Sequence, residues 1–209
     1  MRTAAELIEE IRFNTNRINK NRFTDASILR LLNTAQRQVQ RTIFLANPAC
    51  QHFTEDHDLT YSSDVETYAL PAWAYTTNSV STVFPMIGDH YNAPIVKIDE
   101  KERQYKAGYY VKGSNLIITK GSMGSAVSKA RVVLWRKITE LTAVGDTPAL
   151  PDACEDFLTL FVERKIHYID SSKDIINSGV FTKEEKIEIA GLFGDNSKDV
   201  SYPPVTDTS

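Results

Sequence analysis

Two histidines and three carboxylates crowd one short stretch of the chain: His52, Glu55, Asp56, His57 and Asp58. Imidazole nitrogens and carboxylate oxygens together make a ligand set for a divalent metal. Cys50, close to His52, adds the pairing from which an activated thiolate is built. A metal site needs further donors converging from elsewhere, and His90 and His167 are solitary. The stretch therefore reads as a solvated polar loop leading into a β-rich region. Gly121-Ser122-Met123-Gly124-Ser125 with Lys129 has the glycine content of a phosphate-binding loop. It lacks the Gly-Lys-Ser/Thr junction, and a strand follows where such a loop needs a helix N-terminus. A flexible hairpin connection explains those glycines. Asp99-Glu100 and Glu155-Asp156 lie in charged, surface-like contexts, and Cys154 opens an apolar helix as a small buried hydrophobe. No catalytic residue, cofactor or metal is expected.

Arginine supplies the other candidate chemistry. Arg30, Arg37 and Arg41 recur at helical spacing, with Arg12, Arg17, Lys20 and Arg22 nearby. Such a row can meet phosphates, or it can be a solvated face or oppose an acidic protein surface. The second reading fits the charge balance. The net charge of the 209 residues is −3, so the broad basic surface of a sequence-independent DNA binder is missing. Divided by region, residues 1–46 carry +4, residues 47–139 carry +1 and residues 140–209 carry −8. A basic beginning and an acidic end can neutralise each other within one fold or between copies. At 42% hydrophobic and 24% charged residues the composition is that of a soluble globular protein. No apolar run nears the roughly 18 residues of a membrane span, so no membrane partner is expected. Glu6, Glu9 and Glu10 argue against a secretory signal, and two cysteines are too few for a disulfide scaffold. The expectation is a protein made in the cytosol.

These side chains need elements to hold them. Thr3 with Glu6 is a capping box, and Leu7, Ile8, Ile11 and Ile18 continue from it as one apolar stripe, ending at Asn19-Lys20-Asn21. A second helix of roughly 20 residues begins at Thr24-Asp25 and closes at Asn47-Pro48. Ile28, Leu31, Leu32, Ala35, Val39 and Ile43 form its apolar side. Arg30, Asn33, Arg37, Gln40 and Arg41 form its polar side. From Gln51 the pattern changes to short β-rich segments: Leu59–Tyr61, Val65–Leu70, Val80–Phe84 and Ile95–Ile98. Tyr109 to Thr119 reads as a hairpin turning at Gly113-Ser114, and Arg131 to Arg136 as a further strand. Pro148 and Pro151 stiffen the return to helix, with Pro151 placed in the first turn. Ala153, Phe157, Leu158, Phe161, Val162, Ile166 and Ile169 then cover more than half a helix. Thr182 and Glu185 form a second capping box, opening a short helix through Ile187, Ala190 and Phe193. Residues 195–209 are polar, contain Pro203-Pro204 and have nothing to bury, which predicts a mobile tail.

The expected fold class is α+β. N-terminal helices (1–48) and C-terminal helices (146–194) make one helical bundle, a small antiparallel β-domain of five to seven strands (49–145) is inserted between them, and an extended tail (195–209) follows.

Several short stretches together resemble a known family. Arg22-Phe23-Thr24-Asp25 followed by Leu31-Leu32-Asn33-Thr34-Ala35-Gln36-Arg37 is similar to the opening of tailed-bacteriophage head-to-tail adaptor proteins, also called head completion, connector or tail tubular proteins. Tyr68-Ala69-Leu70-Pro71, the Tyr109–Ile118 hairpin and Thr147-Pro148-Ala149-Leu150-Pro151 resemble further segments of that family, in the same order, across residues 5–170. The resemblance implies a structural, non-enzymatic protein of the virion head–tail junction, present in the host cytoplasm during assembly. It implies a homo-oligomeric ring, commonly a dodecamer, beneath the portal protein. Such a ring extends the DNA channel and gives tail or nozzle proteins their platform, and double-stranded DNA passes through without specific binding. The family's C-terminal segment often docks onto the portal, which makes Tyr202, Pro203 and Pro204 partner contacts alongside Arg30, Arg37 and Arg41. The rival readings are another ring or tail-tube component, a DNA-binding module using the arginine-rich helix, and an enzyme built around His52–Asp58.

Overall fold

The structure is a computed structural model that describes residues 1–15, 22–47, 50–75, 79–170 and 181–193. Among the described residues, four helices and two small antiparallel sheets make it an α+β protein, the class expected from the sequence. The chain divides into two compact units: residues 1–48 with 138–195, and residues 49–137 grouped with 196–209. The polar tail, including Tyr202, Pro203 and Pro204, lies outside the described residues.

In the helical unit, α1 (Ala4–Asn14) starts with the expected capping box. The Thr3 hydroxyl accepts from the Glu6 amide, and the Glu6 carboxylate accepts from the Thr3 amide. The helix ends at Asn14, short of the predicted stop, and Ile18 lies outside the described residues. Thr24 caps α2 (Asp25–Ala46), whose 22 residues span about 33 Å. After a single 3-10 turn at Asp152–Cys154, α3 (Glu155–Asp170) follows, with Pro151 capping that turn from outside the helix. Thr182 and Glu185 cap α4 (Lys183–Leu192) reciprocally. Helix α2 packs against α1, α3 and α4, and α1 against α3. Leu7, Ile11, Ile28, Leu32, Val39, Ile43, Leu158, Val162 and Ile166 fill this core.

Four side chains fall on other faces than their spacing predicts. Asn33 and Gln40 are buried, because the covered face of α2 is wide enough to take in Leu29, Gln36 and Gln40 beside the aliphatic stripe. Ala153 sits exposed in the 3-10 turn, where the helical phase does not yet apply. Ile187 is exposed, and Ile189 is the residue of α4 that turns inward with Glu185.

The β unit holds seven strands: β1 (Thr54–Thr60), β2 (Thr67–Ala69), β3 (Val80–Ile87), β4 (His90–Tyr91), β5 (Tyr109–Lys112), β6 (Asn115–Ile118) and β7 (Lys129–Trp135). They form one sheet in the order β1-β7-β3-β4 and a second in the order β2-β6-β5. The β5–β6 hairpin turns at Gly113-Ser114 as expected, with Gly113 at a φ of 62°. Tyr109, Leu116 and Ile118 of the smaller sheet share a core with Val80, Val83, Val132 and Leu134 of the larger. Ile95–Ile98 is not a strand, and only Lys97 bridges Tyr109, in parallel. The Gly121–Ser128 stretch is not a hairpin connection either. It links β6 of one sheet to β7 of the other, and Met123 and Val127 anchor it in the core.

Candidate functional site

Arg30, Arg37 and Arg41 form a row on the exposed side of α2, since seven residues make nearly two turns and four make slightly more than one. Arg37 reaches Glu140 across a 2.5 Å ion pair in which both side chains are more than half exposed. Arg30 and Arg41 have no ion pair among the described residues. Water screens such a row, so its pairings add little to the stability of the fold.

Behind the arginines lies a buried amide clamp. The Asn33 side-chain amide donates to the Leu141 carbonyl at 2.9 Å, and its oxygen accepts from the Leu141 amide at 2.8 Å. The same oxygen accepts from the Gln36 side chain at 3.1 Å, while the Gln36 oxygen accepts from the Ala149 amide at 2.9 Å. Two consecutive turns of α2 thus satisfy the backbone of the segment that leads to α3. That segment in turn serves α1, whose first amides, of Ala4 and Ala5, donate to the carbonyls of Asp146 and Val144. Asp146 folds the segment by accepting from the amides of Ala143 and Thr142 and from the Thr142 hydroxyl, bonds that hold its carboxyl below the usual aspartate range. The sequence carries a partial signal for the clamp: Asn33, Gln36 and Gln40, at intervals of three and four, fall on the same arc of α2 as Leu29.

The chain start is fixed to the same unit. Glu155 accepts from the Arg2 backbone amide at 2.5 Å and from its Nε at 2.8 Å, so Glu155 anchors structure and is not a solvent-facing acid.

Within the His52–Asp58 stretch, Glu55 to Asp58 lie in a strand, which corrects their loop reading, while His52 sits in the turn before it. Thr54–Thr60 is β1, an edge strand whose seven residues all pair with β7. Alternation sends Glu55 and His57 to one face and Asp56 and Asp58 to the other. Asp58 forms a two-pronged bond with Arg131 at 2.6 and 2.7 Å, and Arg131 also lies 5.1 Å over the Tyr91 ring. His57 meets the edge of Trp73, and His52 the edge of Phe53. The described residues contain no group of three or more His, Cys, Asp or Glu placed to hold a metal. Burial pushes the Cys50 thiol up and so works against a thiolate. Cys154 is fully buried, as expected of it.

The remaining motif residues are structural in this unit. The Tyr68 hydroxyl shares its one proton between the carbonyls of Ser62 and Val65, at 3.0 and 2.8 Å, and accepts from the Ser62 amide. The Leu70 amide donates to the Ser114 carbonyl in the hairpin turn. Among the described residues, no helix is long and apolar enough to cross a membrane.

No curated protein matches the chain. The family model described as SU10 adaptor protein matches residues 2–174, which takes in the α2 clamp, every strand and α3. With that match over most of its length, the chain belongs to the SU10 adaptor protein family, a family of phage head-to-tail adaptors.

Proposed function

We propose that this chain is the head-to-tail adaptor of a short-tailed bacteriophage, assembling as a ring, twelve-fold in the commonest case, between the portal protein and the downstream tail or nozzle proteins. The family match over residues 2–174 carries the reading. The charge pattern supports it: residues 1–46 carry +4 and residues 140–209 carry −8, a pair that head-to-tail copies can set against each other. Arg30, Arg37 and Arg41 then face the acidic surface of a neighbouring copy, and Tyr202, Pro203 and Pro204 contact the portal. An acidic chain also suits a channel through which double-stranded DNA slides without sticking.

The test is to mix the purified chain with its cognate portal ring and examine the product by electron microscopy and by mass. One copy per portal subunit, seen as a new ring at the tail-facing end, is the expected result. No binding to the portal, with the protein recovered elsewhere in the particle, overturns the portal-ring assignment and favours another tail component.

A further inference from the structure

Ser79 lies immediately before β3, is 1% exposed, and carries the one buried side-chain polar atom without a hydrogen-bond partner among the described residues. A buried hydroxyl left unpaired is unfavourable, and its presence marks a place where a partner group is missing. Ser79 lines a cavity of about 320 Å³ walled by Leu70, Pro71, Ala74 and the hairpin turn at Ser114. Lys137 stands in the same lining. Its ammonium donates to the Ala72 carbonyl at 3.0 Å and keeps two further donors. The cavity therefore calls for an apolar group, a hydrogen-bond acceptor and a negative charge, close together.

The other end of the same strand presents that combination. Strand β3 runs to Ile87, which pairs with His90 across a two-residue turn of Gly88 and Asp89. Gly88 has a φ of 60°, so the turn is tight. Ile87 is 45% exposed there, and the Asp89 carboxylate is exposed beside it. The eight residues of β3 hold tip and cavity apart by about 25 Å, so a molecule cannot fill its own cavity with its own tip.

We propose that the Ile87–Asp89 tip of one copy inserts into the Ser79–Lys137 cavity of the next. Ile87 fills the apolar walls, Asp89 pairs with the Lys137 ammonium, and a turn carbonyl accepts from the Ser79 hydroxyl once that side chain rotates into the cavity. The contact joins unlike surfaces, so it propagates from copy to copy and closes as a ring or continues as a filament. This inference rests on the ring reading above and supplies it with a contact inside the β unit.

The experiment uses two full-length charge-reversed variants, Asp89→Lys and Lys137→Asp, both at exposed positions. Assembly is followed by native mass spectrometry and electron microscopy, in solution at rising concentration and on the cognate portal. Each variant alone should assemble at roughly a tenth or less of the wild-type extent, because the contact then sets like charges together. Mixing the two should restore assembly, since the lysine tip of one fits the aspartate cavity of the other and the reverse contact is wild-type. Wild-type assembly with both variants assembling equally well overturns the tip-in-cavity contact and leaves the ring reading standing. Loss in the single variants without rescue on mixing also overturns it. Failure of the wild-type chain to form a multimer in either setting overturns the ring reading and this contact together.

Discussion

Asn33 makes three hydrogen bonds in a place water does not reach, two to the backbone of Leu141 and one from Gln36. Replacing it with alanine strands the Leu141 amide and carbonyl, and each buried unpaired group costs about 1–3 kcal/mol. Asn33→Ala should therefore lower the stability of the helical unit by roughly 2–6 kcal/mol, read as a lower urea midpoint by circular dichroism. Gly108 makes a different demand. A Cβ there would lie 2.4 Å from the Val96 carbonyl oxygen and 2.7 Å from an Ile98 methyl, while the Gly108 amide donates to Thr119 and Ser122. Gly108→Ala should destabilise the β unit by about 1–3 kcal/mol, read by tryptophan fluorescence in the same titration. The two positions differ in how legible they are. Asn33 and Gln36 stand in the sequence stretch that resembles the adaptor family, yet a polar residue beside arginines reads as solvated until the neighbouring segment is in view. Nothing near Gly108 marks it, since the clash comes from residues ten and more positions away.

Elements show the same division between local and distant causes. Both predicted capping boxes formed because their bonds close within four residues. Strand β1 began earlier than expected because Glu55, Asp56 and Asp58 give it no apolar alternation, and its ladder comes from β7, far along the chain. Ile95–Ile98 has the right residue types for a strand and makes only one bridge. The exposed row of arginines was legible in the helical spacing, and the Ser79 cavity was not, since its walls come from separate segments of the chain. Helix α4 offers a test of its own. Burial pushes the Glu185 carboxyl upward, but Arg164, at 2.7 Å, and the Thr182 amide, at 2.8 Å, outweigh it and hold the group below the ordinary glutamate range. A depressed carboxylate contributes stability that is present above its unfolded-state pKa and is lost as the pH falls through its folded value. Glu185→Gln should thus cost about 1–3 kcal/mol at pH 7, and the difference from wild type should vanish in acid once Glu185 is protonated in both states. Urea midpoints from pH 7 downward would show this convergence, and a constant difference would refute it.

At the level of the molecule, each unit has its own apolar core. Both tryptophans, Trp73 and Trp135, lie in the β unit, and all four helices lie in the other. Fluorescence therefore reports one unit, and helical circular dichroism mainly the other. The two urea curves should not coincide, since two cores give two cooperative units. Asn33→Ala should move only the helical curve and Gly108→Ala only the fluorescence curve, whereas a joint shift would mean one cooperative structure. The inserted topology also sets a timetable. Helices α1 and α2 leave the ribosome first, while α3, which covers α2, begins only at Glu155. At roughly 5–20 residues per second, the interval from Ala46 to Glu155 lasts on the order of 5–20 s. Throughout it the side of α2 that α3 covers has no partner from α3, which predicts that holding chaperones bind the nascent chain in this interval. The seven strands of the β unit, from Thr54 to Trp135, are all made before α3 begins.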